Sequence, residues 1–137
     1  MIMSLFRVFD ISGSALYAQS VRLNTTASNM ANADSASSSI NSTYRARHPV
    51  FAAQLAEADN EASGVNVLGI VESNAPLRQE YRPNHPLANQ NGYVNMPNVN
   101  QVEEMADMIS ASRSYQSNVE VLNTSKQMLM RTLALGD

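Results

Sequence analysis

The chain has no cysteine and no tryptophan, few other aromatic residues, and no long apolar run. Without cysteine it has no disulfide, no thiolate nucleophile and no cysteine-ligated metal centre. No stretch approaches the roughly 18 consecutive apolar residues of a membrane-spanning helix. Charge is scarce too: 15% of residues are Asp, Glu, Lys or Arg, against about 25% in ordinary soluble domains. The net charge of -3 and the missing basic stripe exclude a sequence-independent grip on nucleic acid. The opening Met1-Ile2-Met3-Ser4-Leu5-Phe6-Arg7 lacks the basic start, apolar run and small-residue cleavage site of a secretory signal. Passage out of the cytoplasm would therefore need another route. Met1 and Met3 both offer a translation start.

What replaces charge is small and polar. Ser, Thr, Asn and Gln make up about a third of the chain, well above their share in ordinary domains. From Ser4 to Ala33 the charged residues are Arg7, Asp10 and Arg22. A helix so poor in charge suits close packing against other protein, where a buried ion would cost several kcal/mol. The 137 residues suffice for one compact or elongated unit.

Two stretches far apart in sequence carry the same period. Phe9, Leu16, Leu23 and Met30 recur every seven residues, as do Met108, Tyr115, Leu122 and Leu129. Seven is the coiled-coil period, and such a narrow apolar stripe needs a partner helix. That partner is the other terminal helix or the same helix in a neighbouring copy, which makes these eight residues candidates for subunit packing. The expected fold is mainly α with a small β part. Segments 1–34 and 98–137 pair as a coiled-coil-like hairpin, and 35–97 forms a central extended and β-hairpin insertion.

Local signals fill in the elements. The first helix starts between Ser4 and Asp10 and ends near Asn32; Gly13, Thr25 and Thr26 make it marginal alone and dependent on docking. Gly13, Ser20 and Ala27, four residues beyond the apolar positions, are expected to let another backbone approach. Ser35 to Ser42 reads as a flexible connector. Tyr44 to Phe51 reads as extended chain that Pro49 restricts to a sheet edge. The reading leaves 54–62 open and finds no motif in 57–63. Val65 to Val71 is a strand whose expected hairpin partner is Leu77 to Tyr81. From Arg82 to Asn100, Pro83, Pro86, Pro97 and an Asn91-Gly92 turn mark a defined irregular path. The second helix begins after Asn100, which with Glu103 resembles a capping box; Glu103, Glu104 and Asp107 complement the helix dipole. Arg131 lies in its last turn and Gly136 is a natural stop.

No constellation for chemistry emerges. His48 and His85 each neighbour a proline, without the convergent ligands of a metal site. Glu103 and Glu104 point about 100° apart on a helix and share no substrate. The five glycines form neither a nucleophile elbow nor a phosphate loop. The expectation is a non-enzymatic protein with no cofactor, no metal and no small-molecule substrate. The methionines of the second helix, Met105, Met108, Met128 and Met130, suit either core or subunit contact.

Three segments carry a resemblance. Asn24-Thr-Thr-Ala-Ser-Asn-Met-Ala-Asn-Ala33 is similar to the N-terminal motif of bacterial flagellar rod and hook proteins. Tyr81-Arg-Pro-Asn-His-Pro-Leu-Ala-Asn89 with Gly92-Tyr-Val-Asn-Met-Pro-Asn-Val-Asn100, and the run from Glu103 to Val119, resemble the proximal rod proteins of the FlgC type within the flagellar basal-body rod family. The resemblance implies a structural subunit of the proximal rod, a helically assembled drive shaft carrying torque from the inner-membrane ring to the hook. It implies export by the flagellar type III apparatus without a cleaved signal, and a place in the periplasmic basal body. Implied partners are further copies of the chain, other proximal and distal rod proteins, the inner-membrane ring with its rod adaptor, and the export apparatus. The terminal helices would line the tube and the central part would pack outside. The alternative is a soluble coiled-coil adaptor or export chaperone of the same system; a rod-associated cell-wall enzyme would need a catalytic constellation.

Overall fold

The computed structural model describes residues 2–55 and 62–135. A helix α1 (Ile2–Asn32) and a helix α2 (Gln101–Ala134) enclose four strands, β1 (Arg47–Leu55), β2 (Ala62–Glu72), β3 (Arg78–Tyr81) and β4 (Tyr93–Met96). Helix α1 starts a little earlier than its sequence signals suggest, and the expected stop at Gly136 lies outside the described residues.

The terminal helices pair with each other. Gln101 Nε2 donates to Asp34 Oδ2 at 3.0 Å, Asn29 Nδ2 to Glu104 Oε1 at 2.9 Å, and Arg22 to Asp107 at 2.6 Å. Moving up α2 while moving down α1 makes the pair antiparallel. The floor of its seam is built from small and polar side chains. Ser12, Thr26 and Ala33 are buried, each three residues after a member of the apolar stripe; in α2 Glu104, Ala111 and Ser125 are buried, each four residues before a member. Alternating spacings of three and four make a full coiled-coil seam, of which the large apolar residues form only the rim. Gly13 and Ala27, expected at the close approach, face outward instead: a Cβ added at Gly13 would meet nothing within 4 Å. The close approach falls one position earlier along the helix, at Ser12 and Thr26.

Strands β1 and β2 form a long antiparallel ribbon running from Arg47↔Glu72 to Leu55↔Ala62, with irregularities after Val50 and Gln54. Pro49 fits because a two-stranded ribbon consists of edges. The ribbon lies along α1. Ser14 Oγ accepts the Val65 N–H at 3.0 Å, and a Cβ on Gly64 would come within 2.7 Å of that oxygen, so glycine permits the contact.

The expected hairpin between Val65–Val71 and Leu77–Tyr81 is not formed. Strand β2 pairs with β1, and β3 pairs with β4. The physical reason lies in the connection. The carbonyls of Ser73 and Ala75 accept from Arg45 Nη1 at 3.2 and 3.3 Å and from Asn98 Nδ2 at 3.3 and 2.9 Å, so the chain that would turn back is pinned to the junction. The irregular path after Arg82 likewise contains the unexpected strand β4. Its turn is closed by Asn89, whose Oδ1 accepts from Asn91 and Tyr93 N–H, and by Gly92 at φ +81°. The serine connector is not loose either: Ser37 exchanges two backbone hydrogen bonds with Asn95 at 2.9 and 3.0 Å, and a 3-10 turn follows at Ile40–Ser42.

Candidate functional site

The elements converge where α1 ends, β1 begins and α2 starts, and Asn29 is the hub of that junction. Its side chain is 1% exposed and makes four hydrogen bonds. Nδ2 donates to the Arg47 carbonyl at 2.8 Å and to Glu104 Oε1 at 2.9 Å; Oδ1 accepts from the Arg47 N–H at 2.9 Å and from the Tyr44 hydroxyl at 2.8 Å. Both amide donors and both acceptor lone pairs are used. One residue thereby fixes the end of α1 to the first residue of β1 and to the first turn of α2. Ala33, Ala46 and Val99, with Tyr44 against them, form a small apolar cluster beside it, and Arg47 stacks its guanidinium 5.4 Å from the Tyr44 ring centre. Asn98 braces the other side, its Oδ1 accepting the Ala46 N–H at 2.8 Å.

Glu104 is more than a dipole partner of its helix. It is buried, and burial pushes its carboxyl above the usual carboxylate range, with Asp107 and Glu103 adding to the rise while the Asn29 amide and nearby His48 oppose it. Asp107 likewise pairs with Arg22 rather than serving the helix end alone. The end itself is capped by Asn100, whose Oδ1 accepts from Val102 N at 3.2 Å and, more weakly, from Glu103 N at 3.5 Å. The Glu103 side chain remains exposed.

Phe9, Leu16, Leu23, Met30, Met108, Leu122 and Leu129 are half-buried along the rim of the α1–α2 seam, and Tyr115 is exposed. Sequence reasoning passed over Asn29, Tyr44, Asn98 and the burial of Glu104. The signal for Asn29 was present, since it opens the Asn-Met-Ala-Asn-Ala segment; its tertiary partners were not legible. Among the described residues no group of three or more His, Asp or Glu is placed to hold a metal ion, and no helix is long and apolar enough to cross a membrane.

The two ends of this junction fall in two recognised segments. Residues 9–36 match the family described as flagella basal body rod protein, and residues 90–135 match the C-terminal segment described for the flagellar basal body rod FlgEFG proteins. Along nearly the whole chain, it is 54% identical to the flagellar basal-body rod protein FlgC of Salmonella typhimurium strain LT2, covering 98% of this chain and 99% of that one. The chain belongs to the FlgC family of flagellar basal-body rod proteins. FlgC of Yersinia enterocolitica is also 54% identical over 98% and 99% of the two chains, and FlgC of Buchnera aphidicola subsp. Acyrthosiphon pisum is 42% identical over 98% and 100%. These relatives bear the name of a structural rod protein, which favours the structural reading of this FlgC-family chain over the adaptor or chaperone. Asn29 and Glu104 lie one in each matched segment, so their hydrogen bond ties the two segments together.

Proposed function

We propose that the protein is a subunit of the proximal rod, assembling helically with copies of itself and with other rod proteins to carry torque from the inner-membrane ring to the hook. Its work is mechanical and it is not an enzyme. Its rod adaptor contact, its export through the flagellar type III apparatus without a cleaved signal, and its periplasmic place belong to the same reading. The observation that carries it is near-full-length identity to FlgC joined to an antiparallel terminal hairpin locked at Asn29. Segments 1–34 and 98–137 act as the tube-lining unit and 35–97 packs around it. The half-buried rim from Phe9 to Met30 and from Met108 to Leu129, with exposed Tyr115, completes its burial against neighbouring copies. Many modest contacts repeated along a rod supply stiffness that no single contact provides.

Complementation tests this. In the source organism, deletion of the gene should abolish swimming, and the full chain supplied in trans should restore it. Normal swimming in the deletion strain would remove the rod assignment.

A further inference from the structure

The connection from β3 to β4 holds the chain's one Asn-Gly pair, Asn91-Gly92. An asparagine followed by glycine is chemically labile for a steric reason. The backbone nitrogen of a residue without a Cβ meets the least hindrance in reaching the side-chain carbonyl carbon of the residue before it. That reaction needs two groups to be free: the Asn91 side-chain amide, which leaves, and the Gly92 nitrogen, which attacks after giving up its proton.

The fold frees the first and withholds the second. Asn91 is exposed, whereas Gly92 is buried and its N–H donates to the Asn89 carbonyl at 2.9 Å. The neighbouring N–H groups are tied to the same residue, Asn91 and Tyr93 both donating to Asn89 Oδ1 at 3.0 and 2.9 Å. On its other side the Gly92 carbonyl accepts from the Arg82 N–H at 2.8 Å. Packing is equally close, since a Cβ on Gly92 would come within 2.8 Å of Tyr81 Cε2 and 3.2 Å of Pro83 Cβ. Swinging the Gly92 nitrogen onto the Asn91 side chain therefore requires the turn to open.

We propose that Asn91-Gly92 is a latent modification site, shut by the folded turn and converted to aspartate or isoaspartate wherever the turn is open. The Gly92 nitrogen loses its proton to solvent base and bonds to Asn91 Cγ. The Cγ–Nδ2 bond breaks, and the amide takes up a proton and leaves as ammonia. Water then opens the resulting cyclic imide at either carbonyl. Opening at the main-chain carbonyl gives isoaspartate, which routes the backbone through the side chain and adds a methylene before Gly92. The Gly92 and Tyr93 N–H groups are then displaced from the Asn89 oxygens, beside the Tyr81↔Tyr93 pair that begins the β3–β4 register. Because β4 carries Val94 and Met96, which are among the largest fully buried side chains, the damage reaches the packed interior. A chain that stays unfolded thus acquires a mark that hinders its later folding.

The test incubates the purified full chain in mildly alkaline buffer, folded and in urea. Peptides containing residue 91 are separated into their asparagine, aspartate and isoaspartate forms and identified by mass. The expected result is steady conversion in urea and conversion slower by about tenfold or more in the folded chain, equivalent to a local opening cost of at least about 1.4 kcal/mol. Asn89→Ala removes the side-chain oxygen that holds the turn. It should bring the folded-chain rate towards the urea rate without changing the urea rate, which separates the turn from any effect of urea itself. Chains converted in urea and returned to buffer should show fast amide exchange at Tyr93 in the isoaspartate form. Equal rates in the folded chain and in urea, no conversion in urea, or an Asn89→Ala rate equal to that of the folded parent would each overturn the inference.

Discussion

Replacing Asn29 by Ala should be the most damaging single change at the junction, and its cost follows from its partners. Four hydrogen bonds disappear at once. The Tyr44 hydroxyl keeps a contact with Ser28 Oγ at 3.2 Å, so it suffers least. The Arg47 N–H and carbonyl lose their partners at the first residue of β1. Glu104 keeps its burial and loses its amide donor. With each buried orphan costing about 1–3 kcal/mol and part of the strand backbone recovering water, the sum is about 3–5 kcal/mol. Against a typical total of about 5–15 kcal/mol that is a large fraction, and the thermal midpoint should fall by about 10 °C or more. Far-UV circular dichroism of the purified full chain during heating reads this directly. Glu104→Leu in the Asn29→Ala background should then cost less than Glu104→Leu alone, because the two residues share one bond. A midpoint within a degree or two of the parent, or strict additivity of the pair, would refute the hub.

Three further outcomes follow from the same geometry. Glu104→Gln keeps an oxygen for Asn29 and removes a buried charge. Because burial raises the folded carboxyl above its unfolded value, the wild-type contribution is fully present below the ordinary carboxylate pKa and is lost as pH rises through the raised one; the variant should therefore gain over wild type at pH 7, and the gain should vanish towards pH 4. A gain that grows on acidification would reverse the sign and discard the argument. Gln19 holds a buried Oε1 without a hydrogen-bond partner among the described residues, three residues after Leu16, so Gln19→Leu should raise the urea midpoint by about 1 kcal/mol equivalent, and a fall would mean the oxygen has an unseen donor. Leu16→Asp and Leu122→Asp each put a charge on the half-buried rim of the seam and should abolish motility while leaving synthesis intact, as read by swimming assay and immunoblot; normal swimming in both would release these residues from the seam.

The terminal architecture was legible because period is a one-dimensional property. The seven-residue spacing of Phe9 to Met30 and of Met108 to Leu129 marks two helices that need partners, and Asn100 marks where the second begins. The strand pairing was not legible. Val65 to Val71 has good strand composition, but which strand it joins depends on Arg45 and Asn98 holding the Ser73 and Ala75 carbonyls, contacts between residues tens of positions apart. The floor of the seam was missed for a related reason: Ser12, Thr26, Ala111 and Ser125 carry little hydropathy signal, although small size is what brings the helices together. Ser35 to Ser42 looks like a linker by composition, yet its backbone pairs with Asn95. Asn29 shows the limit most plainly, since an asparagine in a helix gives no sign that it serves two other elements until the chain is folded.

The central claim is that this chain is a built-in structural part of the rod, and mass spectrometry of purified hook-basal bodies from the source organism tests it most directly. The account predicts the intact chain, with an uncleaved N-terminus, in those particles, and truncated or missing rods in the deletion strain. Complete rods without it, with the chain found only in the cytoplasm, would contradict the account.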